Sequence, residues 1–221
     1  MLFDIDGTLI RRAGSHHKLA LIEAIRIVIR REASLDGIPT QGMLDCDLFR
    51  IMLQRLELGD GAFDENLPSL VREAQRHYIA NCPADLRTSV CPGVEPLLDR
   101  LREAGVACGV VSGNLSTIGW KKLELAGLRT YFELGAFAEQ AVTRTKLASE
   151  AIETARSGGL IMDSSKVSLV GDHPNDIRAA HANGIQAIAV ATGLSSLDEL
   201  QNEQPNLLLQ DLTSLAVEHL L

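Results

Sequence analysis

Beyond Pro92-Gly93 the chain alternates short apolar runs with stretches of helical periodicity, and few folds accept that order. The runs cover 106–111, 134–138, 167–170 and 187–190. Nearly continuous apolar runs of this length suit strands buried on both faces, as in a parallel sheet. Between them, Leu97, Leu98 and Leu101 form a helix stripe that ends at Gly105, and further helices are predicted over 116–126, 146–156 and 174–183, each followed by glycine. Ser196-Leu197-Asp198-Glu199 reads as a capping box, and 211–221 as a last helix. Strand and helix in strict alternation predict an α/β fold, a doubly wound, Rossmann-like parallel sheet. Met1-Leu2-Phe3 supplies one more strand, so short that residues upstream of Met1 are to be expected.

The stretch from His16 to about Cys82 has a different texture. Leu19, Ile22, Ile25 and Ile29 recur at helical spacing, as do Leu48, Met52 and Leu56, and Leu70, Ala74 and Tyr78. Asp47 is placed to cap the second of these helices and Pro68 to open the third. With no strand pattern here, three or four helices form an all-helical unit between the first and second strands. The expected division is an α/β core over 1–12 and 88–221 with an inserted helical cap over 13–87.

Composition narrows the partners. With 21 Lys plus Arg against 29 Asp plus Glu, 21 − 29 gives a net charge of −8, and basic residues gather only in pairs such as Arg11-Arg12. Nucleic acid is therefore not an expected partner. The most apolar helical segment, 19–29, is interrupted by Glu23 and Arg26 and is too short to span a bilayer, so no membrane partner is expected either. Cys46, Cys82, Cys91 and Cys108 show neither zinc-ligand spacing nor a disulfide framework, which predicts reduced thiols and a cytoplasmic setting. Oligomeric state is left open between monomer and dimer.

In an open α/β sheet the ligand site lies beyond the carboxyl ends of the strands, so the residues that follow each apolar run carry the information. The first strand ends in Asp4-Ile5-Asp6-Gly7-Thr8, the next in Ser112-Gly113-Asn114, and the strand over 167–170 in Gly171-Asp172, with Asp176 one helical turn on. Arg144 and Lys146 precede the helix between the last two. Carboxylates brought together at one rim repel one another unless a cation relieves them, and a hard, oxygen-liganded ion such as Mg2+ fits that need. The basic side chain, the Ser112 hydroxyl and free backbone N–H groups then suit a phosphate. Two carboxyl groups two positions apart allow a division of labour between Asp4 as nucleophile and Asp6 as general acid and base.

Asp4-Ile5-Asp6-Gly7-Thr8, Val110-Val111-Ser112-Gly113-Asn114, Lys146, and Gly171-Asp172 with Asp176 resemble, in order and spacing, the four motifs of the haloacid dehalogenase-like hydrolase superfamily, nearest to its phosphoglycolate-phosphatase-like branch. The cap segment Gly42-Met43-Leu44-Asp45 resembles one found in such caps, with Leu44 where a Thr usually stands. The resemblance implies a phosphatase acting on a small phosphorylated metabolite through an aspartyl-phosphate. Asp4 would be nucleophile and Mg2+ ligand. Asp6 would be acid and base and offer its backbone carbonyl to the metal, with Asp172 and Asp176 completing or supporting that site. Ser112, Gly113 and Asn114 would hold the phosphate, and Lys146 would bind both phosphate and Asp4. Lys146 is followed by Leu147 rather than the usual Pro, and Arg144 is the alternative; the separation 172 − 146 = 26 favours Lys146. A phosphomutase of the β-phosphoglucomutase type shares every core residue and is the alternative activity. A phosphoryl-accepting receiver or a non-catalytic binding module is a remote third. His173 is expected at the rim of the site, His16 and His17 at the junction into the cap, Trp120 in the core, and Arg72, Arg76 and His77 on a solvated face.

Overall fold

The structure, a computed structural model, describes residues 1–11 and 14–215. Its centre is a six-stranded sheet in the order β3-β2-β1-β4-β5-β6, parallel throughout. The strands are β1 (Leu2–Phe3), β2 (Gly109–Val111), β3 (Leu134–Ala136), β4 (Ser168–Gly171), β5 (Gln186–Val190) and β6 (Leu207–Leu209). Side chains alternate faces along each strand, and the core divides accordingly. Leu2, Val111, Leu169, Ala187 and Ala189 face one apolar cluster, while Phe3, Val110, Val170, Ile188 and Val190 face the other. This two-sided burial is why the runs contain almost no polar residues.

The helix α4 (Val94–Glu103) covers the second face with Leu97, Leu98 and Leu101, joined by Leu123 of α5 (Ser116–Leu125). The first face is covered by α6 (Arg144–Ser157) and α7 (Pro174–Ala182), with Leu147, Ala148, Ala151, Ile177 and Ala180, and by Leu200 of α8 (Leu197–Asn202). Ser196 caps α8, its hydroxyl accepting from the Glu199 N–H, as the capping box predicts. The apolar run over 106–111 is paired only from Gly109, and β6 is an additional edge strand that the pattern did not reveal. Of the helix expected over 211–221, the described part is a single 3-10 turn at Leu212–Ser214; residues 216–221 lie outside the described residues.

Between β1 and β2 the chain forms three helices, α1 (His16–Ile29), α2 (Asp45–Arg55) and α3 (Asp60–Asn81). The apolar positions Ala20, Leu21, Ala24 and Ile25 of α1 pack with Leu70, Ala74 and Tyr78 of α3 and with Phe49, Met52 and Leu53 of α2. Two sequence expectations are corrected here. α2 starts at Asp45 rather than after Asp47, with extended Leu44 at its N-cap, because the Leu44 carbonyl already accepts the Asp47 and Leu48 N–H groups and so places Asp47 inside the first turn. Pro68 lies inside α3 and does not open it. A ring that fixes φ near −65° is compatible with the helix and costs one backbone hydrogen bond. No helix among the described residues is long and apolar enough to cross a membrane.

Candidate active site

The carboxyl ends of β1, β2 and β4 meet beneath the three inserted helices. Asp4, at the first position beyond β1, is anchored by its N–H to Val170 O of β4 at 2.9 Å, which sets it beside Asp172 at the end of β4. Carboxylate oxygens of Asp4, Asp172 and Asp176 all lie within 4.8 Å of one another, and all three residues are buried. Glycines make this approach feasible. Gly7 holds φ at +94°, and a Cβ there would stand 2.3 Å from Asp172 Oδ2; a Cβ on Gly193 would stand 1.6 Å from the same oxygen.

The cation that enters the cluster is Arg144, the first residue of α6, whose N-cap Thr143 accepts the Lys146 N–H. The Arg144 guanidinium is 2.6 Å from Asp4 Oδ1, and its Nε donates to Asp176 Oδ1 at 2.8 Å. Lys146 points the other way: its ammonium pairs with Glu150 at 3.1 Å and the side chain is 58% exposed. The expectation for Lys146 is therefore corrected in favour of Arg144. Two positions along a helix turn the side chain by roughly 200°, so when Arg144 faces the sheet Lys146 faces water.

Electrostatics follow from this packing. Burial pushes the Asp172 carboxyl up to about 8, with the neighbouring Asp4 and Asp176 charges adding to the effect and the Thr8 hydroxyl, 3.1 Å away, opposing it. Burial likewise pushes Asp4 to about 6 against the pull of Arg144. Its carboxylate partners in turn raise the Arg144 guanidinium, although burial alone would lower it. Arg144 thus compensates Asp4 and Asp176. Among the described residues Asp172 has no cationic side chain of its own. An all-carboxylate, buried and under-neutralised donor set suits a hard divalent cation such as Mg2+.

Asp6 stands apart from this trio. The Lys122 ammonium donates to both of its oxygens, at 2.7 and 2.6 Å, and Asn114 Nδ2 donates to Oδ2 at 2.7 Å. Burial would raise the Asp6 carboxyl, but the Lys122 charge and the hydrogen bonds from Lys122 and Asn114 outweigh it and hold it below the ordinary carboxylate range. Ser112 and Asn114 come from the end of β2, as expected, with Asn114 Nδ2 also 2.6 Å from a fully buried Ser112 Oγ. Gly113 is where the helical insertion touches down. Its carbonyl accepts the Asp45 N–H at 2.8 Å, and a Cβ on it would meet Met43 O at 2.2 Å. The Asp45 carboxylate accepts the Leu115 N–H and the His17 ring, each at 2.8 Å. A cavity of about 130 Å³ remains between insertion and sheet, lined by Asp4, Asp6, Ser112 and Arg144 below and by His17, Leu21, Leu48 and Tyr78 above.

His173 caps α7 at the rim, where burial lowers its pKa, and Trp120 packs edge-on against Phe137 with ring centroids 5.1 Å apart. Arg76 pairs with Glu73 on the exposed side of α3. Lys122 and His17 were not singled out by sequence reasoning as site residues. A signal existed for Lys122, which occupies a position on the apolar stripe of α5 with Ile118, Gly119 and Leu123, where a lysine must find a buried partner.

A doubly wound sheet that gathers buried acids, one arginine and a serine at its carboxyl edge, under a helical insertion, defines the active-site edge of an α/β enzyme. Residues 1–190 match the family model described as haloacid dehalogenase-like hydrolase. The chain belongs to the haloacid dehalogenase-like hydrolases. It is 26% identical over 219 residues to a phosphoglycolate phosphatase of Agrobacterium fabrum, covering 97% of this chain and 89% of that one. A phosphoglycolate phosphatase of Caulobacter vibrioides is 28% identical over 202 residues, covering 86% of this chain and 78% of that one. Among solved structures, a β-phosphoglucomutase from Clostridium difficile superposes with a TM-score of 0.74 at 16% identity, covering 99% of this chain and 93% of that one, a likeness of fold.

Proposed function

We propose that this hydrolase is a Mg2+-dependent phosphatase that cleaves small phosphate monoesters by way of an aspartyl-phosphate on Asp4. The observation that carries the reading is the pairing of two aspartates with opposite electrostatic settings two residues apart. Asp4 lies beside Arg144 and the Asp172–Asp176 pair, while Asp6 is held separately by Lys122 and Asn114. Asp4 Oδ attacks phosphorus and the ester oxygen departs. Arg144 offsets the charge of the phosphoryl oxygens, and the Ser112 hydroxyl and the backbone at Gly113 and Asn114 orient them. Asp6, ionised in its contacts with Lys122 and Asn114, takes up a proton from solvent as substrate binds, passes it to the departing oxygen and, in the second half-reaction, withdraws one from the water that cleaves the acyl-phosphate. Asp4, Asp172 and the Asp6 carbonyl would hold Mg2+, with Asp176 supporting them; when bound, it supplies charge neutralisation and alignment of the phosphoryl group.

The helical insertion acts as the cap. It stands over a pocket of about 130 Å³ that is lined from both sides and suits a small leaving group. The names of the curated relatives support hydrolysis of phosphoglycolate or a similarly small ester. The test is a panel of phosphate monoesters assayed with Mg2+ beside Asp4→Asn, with products followed for free phosphate. Release of phosphate that Asp4→Asn abolishes is expected. Phosphate release unchanged in Asp4→Asn overturns the mechanism, and isomerised sugar phosphate without free phosphate overturns hydrolysis in favour of a mutase.

A further inference from the structure

Lys122 lies on α5, outside the four motifs, yet it is almost fully buried and makes four polar contacts at the centre of the site. We infer that Lys122 and His17 are positioning residues for the Asp6 carboxylate, forming a cross-link that ties the seating of the helical insertion to the orientation of the acid and base. The inference rests on the reading of Asp6 as that acid and base.

An ammonium has three protons and no lone pair, so it can only donate. Lys122 Nζ lies 2.6 and 2.7 Å from the two Asp6 oxygens, 2.7 Å from Asn114 Oδ1 and 3.2 Å from His17 Nδ1. The three acceptor groups use all three protons. His17 Nδ1 must therefore accept, which leaves the ring proton on Nε2, and that nitrogen faces Asp45 Oδ2 at 2.8 Å. Asp45 in turn holds the Leu115 N–H at 2.8 Å, one residue beyond Asn114. The contacts thus form a continuous path from α2 of the insertion (Asp45), through α1 (His17), to α5 (Lys122) and Asp6, and Asp45 closes it back onto the β2–α5 loop. The His17 ring also lies edge-on to Tyr78 of α3 at 6.2 Å between centroids, so all three inserted helices bear on it.

The consequence is directional. With the insertion seated, His17 occupies one Lys122 proton and fixes the ammonium, which with Asn114 fixes both Asp6 oxygens. Lifting the insertion withdraws His17 and Asp45 together, and the ammonium loses the partner that aims it. Asp6 is then correctly aimed only when the insertion covers the substrate.

The experiment compares kcat/KM for an alkyl phosphate, whose leaving oxygen needs a proton, with that for p-nitrophenyl phosphate, whose phenolate departs without one. Lys122→Met, His17→Leu and Asp6→Asn are assayed in the full chain with Mg2+. In Lys122→Met, kcat/KM for the alkyl ester is expected to fall by about 100-fold, the scale of general acid catalysis, while the aryl ester is little changed. His17→Leu, on a partly exposed ring and so independent of any folding defect in Lys122→Met, is expected to show the same selectivity with a smaller fall. Losses shared equally by both esters, or no loss, in the folded variants overturn the inference. Asp6→Asn separates the causes: if it lacks the selectivity, the acid and base assignment itself fails and the inference falls with it.

Discussion

Replacing Arg144 and Lys146 in turn by Met tests which cation serves the site. The Arg144 side chain is 8% exposed and touches Asp4 at 2.6 Å and Asp176 at 2.8 Å. Its removal leaves two buried carboxylates next to a third, Asp172, with no cation among them. Breaking a buried pair in this way costs roughly 3–5 kcal/mol. Partial protonation offsets some of it, since Asp4 already titrates near 6 and would rise further. Lys146 makes one exposed contact to Glu150, an i,i+4 pair on α6 worth roughly 0.3–0.5 kcal/mol. Urea unfolding with EDTA at pH 8 should therefore show a large loss for Arg144→Met and almost none for Lys146→Met. With Mg2+ present, kcat/KM should drop by about 100- to 1000-fold for Arg144→Met, the usual effect of deleting one electrostatic stabiliser of the transition state. Lys146→Met should retain the parent value. A Lys146→Met variant that loses as much activity as Arg144→Met would refute the assignment and restore the sequence-based expectation.

Two further outcomes follow from the acid cluster. Gly193→Ala would drive a Cβ to within 1.6 Å of Asp172 Oδ2, so it should sharply reduce Mg2+-dependent turnover, whereas Gly61→Ala, whose Cβ meets nothing within 4 Å, should leave turnover unchanged. In metal-free protein, Asp172 is raised from 3.8 to about 8, so over this interval the folded state holds a proton that the unfolded state has released. Stability should then fall as pH rises from 5 to 8, by up to about 1.4 kcal/mol per pH unit for each such proton, as read from urea midpoints in EDTA. Asp172→Asn should flatten the trend, and Mg2+, which binds the ionised carboxylates, should offset it. A midpoint that rises with pH in EDTA would contradict the burial of these acids.

Much of the fold and the acid cluster was legible in the sequence because both follow from local pattern. Runs buried on two faces must be apolar throughout, and side chains just past parallel strands must meet at one edge, which placed Asp4, Ser112, Asn114 and Asp172 correctly. Arg144 was weighed, but spacing favoured Lys146. The choice turns on where α6 begins, and with Thr143 as N-cap, 144 faces the sheet and 146 the solvent. The contacts of Lys122 and His17 at the site were not legible because their partners are remote in sequence: Lys122 meets Asp6 across 116 positions and His17 across 105. The edge strand β6 is only half-buried and three residues long, too short to show a period.

The decisive observation is the site of phosphorylation during turnover. Acid quenching of the enzyme within a single turnover with Mg2+ and a reactive phosphate monoester, followed by peptide mapping, should place a transient phosphoryl group on Asp4 that forms and decays at rates consistent with kcat. Asp6→Asn, with the nucleophile intact, should accumulate it when the leaving group needs no proton. Phosphate release with no label on Asp4, or label that never turns over, would contradict nucleophilic catalysis by this aspartate.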